Sequence, residues 1–177
     1  MTERLETERL VLRRPEPGDV DDMVEFVGDD EVMRPIGGEA GGRDSAVEHV
    51  ERWRARWERN GVGPFAVVLD GRAIGRVGLL VWDRRTWETS TYDLAGEHAE
   101  TELGWALTRR YWGHGYATEA ARAVREWAYA ERGLDRIVSF VAPENVRSIR
   151  VAVKLGATPE QLVQTPHGPA IVWVHPR

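Results

Sequence analysis

The sequence predicts one α/β domain of α+β character over residues 1–177, and three observations carry that expectation. Residues 64–82, PFAVVLDGRAIGRVGLLVW, are two β-rich runs joined by Asp70-Gly71, the pair that a two-residue type I′ hairpin turn prefers. Segments with helical apolar spacing alternate with β-type runs along the rest of the chain. No internal repeat, linker or low-complexity stretch interrupts it, and its length suits a single hydrophobic core.

In chain order, RLVLRRP (9–15) is a short strand closed by Pro15. In GDVDDMVEFVGDD, Asp19 is positioned to cap a helix with Val20, Met23, Val24 and Val27 on its apolar face. Residues 31–44 hold four glycines and a proline and are expected to be loop. A second helix, Ser45 to Asn60, sets Ala46, Val50, Trp53 and Trp57 on one face and stops at Gly61. At that spacing the two tryptophans are packing residues. After the hairpin, residues 83–99 have no clean period and form a long connection. ETELGWAL (100–107) is a strand, followed by a glycine-bearing turn and a helix to Arg132 whose apolar face is Ala117, Ala120, Ala121, Val124, Trp127 and Ala128. DRIVSFVAP (135–143) is a buried strand, ENVRSIRVAVKLG (144–156) a helix capped by Asn145, and 160–175 two strands about a Pro-His-Gly turn.

Composition excludes several classes of function. The formal net charge of −5 and pI near 5.6 argue against nucleic acid as the partner, because phosphate-tracking surfaces need a basic excess. There is no cysteine, so no disulfide framework, thiolate metal site or cysteine nucleophile, and no metal is expected. The first residues lack an apolar signal segment, and no apolar run approaches the roughly 20 residues of a membrane span. The expectation is a cytoplasmic protein without a membrane partner.

The turn before the long helix, RRYWGHGYATEA (109–120), gathers Arg109, Arg110, Gly113, His114 and Gly115 ahead of good helix formers. Glycines let the backbone approach a ligand, successive N–H groups form a concave nest, and the positive end of the helix dipole points into it. Such a segment suits a phosphate, although an ordinary strand-to-helix turn can look similar. As a dinucleotide fingerprint, Gly113-x-Gly115-x-x-Thr118 lacks the third glycine, and the acid twenty positions on, Asp135, opens a strand where the fingerprint's acid closes one. No Gly-Lys-Ser/Thr follows, which excludes a P-loop.

ELGWALTRRYWGHGYATEAARAVREWA, followed by RIVSFVAPENVRSIRVAVKLGA, resembles the acyl-CoA-binding half of the GNAT N-acetyltransferases. Arg110-Tyr-Trp-Gly113-His-Gly115 meets that family's Arg/Gln-x-x-Gly-x-Gly/Ala signature. ETERLVLRRPEPGDVDDMVEFVGDDEVMRPIG resembles the usual start of its RimJ/RimL-like branch, so the likeness covers residues 6 to 156. It implies a mixed, mostly antiparallel sheet of about seven strands with about four helices, V-shaped between its fourth and fifth strands. It also implies acetyl-CoA as co-substrate, an amine acceptor (a protein N-terminus or a small molecule) and a chain that could pair as a homodimer.

By the same resemblance, backbone groups of Ala106 and Leu107 would hold the thioester and pantetheine. Gly113, His114, Gly115 and Ala117 would offer N–H groups to the pyrophosphate with Arg110 alongside, and Asn145 would contact the CoA arm besides capping its helix. Ser148 would stand near the sulfur and protonate the leaving thiolate. A general base is needed because amines arrive protonated, and Glu102 on the cleft strand is the candidate, with Glu100, His98 and Asp93 as alternatives. Without cysteine, direct attack of the amine in a ternary complex replaces a thiol acyl-enzyme. The loop 83–99 and the compact stretch after Gly156 depart from the family and shape the acceptor pocket. Asp93, Glu97, Glu100 and Glu102, with Trp87 and Tyr92, suggest an acidic mouth and hence a cationic amine. A non-catalytic acyl-CoA-binding module and a nicotinamide-binding protein are the competing classes.

Overall fold

The computed structural model describes residues 3–177. The strands are β1 (Arg4–Glu6), β2 (Val11–Arg13), β3 (Pro64–Leu69), β4 (Arg72–Asp83), β5 (Glu88–Thr89), β6 (Ala99–Leu107), β7 (Val138–Val141), β8 (Thr158–Thr165) and β9 (Gly168–Val174). The helices are α1 (Val20–Val27), α2 (Asp30–Met33), α3 (Arg43–Asn60), α4 (Tyr92–Ala95), α5 (Tyr116–Glu131) and α6 (Val146–Lys154). One sheet runs β1-β2-β3-β4-β6-β7-β9-β8, with β5 paired to β4.

The seven expected strands are present, and the additions are small. The expected strand 9–15 is β2, to which the unforeseen β1 pairs antiparallel, and the expected connection 83–99 holds the two-residue β5 and the single-turn α4. The expected loop 31–44 begins with helical turns: Asp29 caps α2 by accepting from the Glu31 N–H, and a 3₁₀ turn follows at Arg34–Ile36. Asp19 takes the cap position of α1 without capping it; its carboxylate turns back to accept from the Glu16 N–H and from both Nη atoms of Arg13. A strong charge-assisted partner displaced the local cap. The Asp70-Gly71 turn has positive φ at both residues (49° and 80°), as the type I′ geometry requires.

The face of the sheet under α5 buries Leu10, Leu12, Phe65, Val77, Leu79 and Leu103 against Ala120, Ala121, Val124 and Trp127. Trp57 of α3 joins that core edge-on to Phe65, its ring nitrogen satisfied by the Pro64 carbonyl at 2.7 Å. The opposite face packs α1 and α3 through Met23, Phe26, Val27, Ala46, Val50 and Trp53. Both tryptophans of α3 are therefore packing residues, as their spacing predicts.

What positions the site is the junction of β6 and β7. β6 pairs with β4 antiparallel along its whole length, Ala99 to Leu107. With β7 it makes one parallel register pair, Glu102 with Val138, and then the strands part. The expected V lies here. At its root, buried Ser139 donates its hydroxyl to the Leu103 carbonyl at 2.5 Å and meets His175 Nε2 at 2.8 Å. That geometry makes His175 the Nε2–H donor and leaves Nδ1 bare, and Nδ1 has no partner among the described residues. Trp105 packs on Val141, Ala152 and Trp173 beyond the root.

Burial first, and then the Arg125 charge, hold His175 down to about 4. The neutral ring is the native form, so stability falls as pH drops below the unfolded value near 6.5 and levels off below about 4. The two pKa values set a loss of roughly 3 kcal/mol across that window. His175→Gln, denatured in urea at pH 7 and pH 4.5, should lose most of this dependence; a slope equal to the parent's would place the titration elsewhere.

Candidate active site

The turn after β6 is built by two left-handed glycines. Gly113 and Gly115 have φ of 82° and 83°, and Gly115 is the N-cap of the 16-residue α5. A Cβ at Gly113 would meet nothing within 4 Å, and one at Gly115 only the Arg9 guanidinium at 3.5 Å. The fold itself therefore asks only for the backbone conformation, while the space above both residues stays open to a ligand. From Gly113 to Thr118 no N–H donates to a backbone carbonyl in the turn among the described residues; the ladder begins with Glu119 donating to the Gly115 carbonyl. Consecutive unpaired amides at a helix start are an anion-binding nest. Arg9 braces this turn from outside, bonding the His114 carbonyl at 3.0 Å, pairing with Glu119 at 2.6 Å and lying over the Tyr116 ring. Sequence reasoning passed over Arg9 because its partners lie more than a hundred positions away.

Arg110 leans away from the turn, paired with Glu25 of α1 at 3.0 Å, while Arg109 pairs with Asp29 at 2.8 Å. His114 and Ala117 take their expected places in the turn, His114 exposed and stacked on Tyr116.

Along the V, the Thr108 N–H donates to Ile74 of β4, so by antiparallel alternation the peptide groups of Ala106 and Gly104 also face β4. Those of Leu103, Trp105 and Leu107 face the gap. The register thus replaces Ala106 with Trp105 at the open edge, because a backbone group can serve only one side of its strand. The Leu107 carbonyl is already taken by the Trp112 ring nitrogen at 2.7 Å, which leaves its N–H at the edge. Across the gap, Asn145 caps α6 by accepting from the Ser148 N–H at 3.1 Å. The half-buried Ser148 hydroxyl makes no hydrogen bond among the described residues.

Glu102 stands on the α3 side of the sheet, 8% exposed. Burial pushes its carboxyl up, opposed by the Arg76 charge, by the Trp82 ring N–H at 2.6 Å, by Arg56 and by the Phe140 N–H. A carboxylate held above its ordinary range, with donors fixing its orientation, is suited to accept a proton near neutral pH. The expected acidic mouth is not assembled around it. Glu100 is buried in an ion pair with Arg136, which also holds Glu160. Tyr92 spends its hydroxyl on Thr101, and Trp87 packs against Phe140. What faces Glu102 is cationic: Arg76 of β4 and Arg56 of α3.

Comparisons with known proteins bear on the family and the fold. The family model described as Acetyltransferase (GNAT) domain matches residues 9–158. The Bacillus subtilis (strain 168) protein called Uncharacterized N-acetyltransferase YnaD is 31% identical over 150 residues, 85% of this chain and 79% of its own. Among solved structures, an acetyltransferase from Agrobacterium tumefaciens str. C58 superposes with a TM-score of 0.79 at 29% identity, covering 99% of this chain and 95% of its own. The aminoglycoside acetyltransferase AAC(6′)-Ib with ribostamycin and coenzyme A shares the fold, with a TM-score of 0.74 at 22% identity over 96% of this chain and 94% of its own.

Asparagine tolerates the left-handed conformation but would bring a side chain into the ligand's approach. Gly115→Asn should therefore keep the fold by circular dichroism and lose the rise in Tm that acetyl-CoA gives the parent. An unchanged rise would remove the nest from the site.

Proposed function

The chain belongs to the GNAT family and is an acyltransferase, and from that premise we propose that it moves an acetyl group from acetyl-CoA to a primary amine by direct attack in a ternary complex. The observation that carries this reading is the run of unpaired amides at Gly113–Thr118, set beside the open edge of β6. These amides would hold the pyrophosphate, and the Trp105 and Leu107 peptide groups the pantetheine and the thioester carbonyl. Arg110 would need to exchange Glu25 for phosphate, a cheap step because both partners are half exposed. The donor supplies an acetyl group already activated as a thioester.

The acceptor must lose a proton first. A lysine-type amine with pKa about 10.4 costs about 4.6 kcal/mol to deprotonate at pH 7, whereas an α-amine near 8 costs only about 1.4 kcal/mol. One buried carboxylate serves the second case well. Glu102 takes the amine proton as the N–C bond forms and the C–S bond breaks. The Ser148 hydroxyl returns a proton to the thiolate and is reprotonated from water. The Asn145 cap fixes the first turn of α6, and with it the position of that hydroxyl. The likeness of residues 6–37 to the RimJ/RimL-like branch supports an α-amine acceptor, met in the cytoplasm.

Glu102→Gln keeps the shape and the Trp82 hydrogen bond but cannot accept a proton. Thiol release should fall about 10²-fold or more at pH 7 and recover partly as pH rises and free amine accumulates, with acetyl-CoA affinity within about twofold of the parent. Equal rates at pH 7 would move the base to another group.

A further inference from the structure

The sheet face that carries Glu102 also carries a cation with no partner. Arg76, opposite Ala106 in the β4–β6 register, is 8% exposed. Its Nη1 is buried without a hydrogen-bond partner, and no carboxylate lies within 4.0 Å of the guanidinium among the described residues. A Cβ at Gly104 would stand 3.0 Å from Arg76 Nη1 and 3.4 Å from Glu102 Oε1, so cation and carboxylate flank one point of the β6 surface without pairing. Any side chain at Gly104 would press on both groups, so glycine is what lets them approach this point.

A second guanidinium faces the same place. Arg56 of α3 is half-buried and enters no ion pair among the described residues. It is held down to about 10, first by burial and then by the charge of Arg76. Two like charges drawn together out of water are unfavourable unless an anion completes them. Glu102 acts on both by its charge, but its oxygens are turned to Trp82 and the Phe140 N–H and pair directly with neither guanidinium. Elsewhere in the fold, His167 of the β8–β9 turn packs so closely on Gly37 that a Cβ there would lie 2.5 Å from the imidazole, so this turn touches the loop after α2.

We propose that Arg76 and Arg56 are the receptor for a carboxylate on the acceptor, which is therefore a compact amino carboxylate whose amine meets Glu102 while its carboxylate meets the two guanidiniums. The proximity of Arg76 and Glu102 to one point sets the amine and carboxylate a few bonds apart, as in an α-amino acid. The proposal rests on Glu102 as the base of the acetyl transfer above, and it replaces a simple cationic amine with a zwitterion.

Thiol release by the whole enzyme is measured with α-amino acids, with their matched α-amino amides, and with the same amines lacking the carboxyl group. The parent should use the amino acids at least about tenfold better in kcat/KM than the amides, as a charge-assisted pair requires. Arg56→Met and Arg76→Lys should each raise the amino-acid KM about tenfold and narrow that ratio, with the acetyl-CoA KM close to the parent's. Amides used as well as acids would overturn the carboxylate receptor and leave the acetyl transfer standing. So would an Arg56→Met enzyme that loses equally on acids and amides, since the arginines would then be only counter-charges of Glu102. Thiol release with none of these amines would also overturn the inference, whereas thiol release with no primary amine at all, peptide N-termini included, would sink the acetyl transfer itself.

Discussion

The interrupted pairing of β6 with β7 is the constraint from which the site follows. A parallel ladder would continue past Glu102 and Val138 if nothing intervened, and every peptide group on the facing edges would be spent in it. The Ser139 hydroxyl instead closes the junction onto the Leu103 carbonyl, with His175 behind it, and Trp105 packs beyond it on Val141, Ala152 and Trp173. One tight buried link marks the root, and beyond it the two strands no longer pair. The unspent backbone donors beyond Leu103 are then available to a substrate.

The two faces of this junction divide the chemistry. On the α5 side lies a helix start with free amides, a place for negative charge that needs no basic side chain. This explains how a protein with a formal charge of −5 can be suited to a polyanionic donor. On the α3 side, burial and fixed donors set the basicity of Glu102, and Arg76 and Arg56 give the same small space a positive character. The charge gathered beside Glu102 is opposite in sign to the net charge of the whole molecule.

Long, periodic segments were legible in the sequence because their physics is local. The α3 stripe of Ala46, Val50, Trp53 and Trp57, the Asp70-Gly71 hairpin, the glycine turn and the Asn145 cap each depend on residues a few positions apart. The V was legible only through the family resemblance, since no spacing within β6 announces that its partner will leave. Asp19 went astray as a helix cap because Arg13, six positions back, offered a stronger partner.

By itself the sequence determined the order of the long elements, the hairpin turn, the helix faces and the free-amide turn, all set by backbone preference and apolar period. Only the tertiary structure decided which edge groups of β6 are open, because the register with β4 turns Ala106 inward and Trp105 outward. It also decided the charge around Glu102. Glu100, two residues away on the same strand, is neutralised by Arg136, while Arg76 and Arg56 arrive from another strand and from a helix. Charge at a site is a sum over neighbours in space, and chain order does not reveal who those neighbours will be.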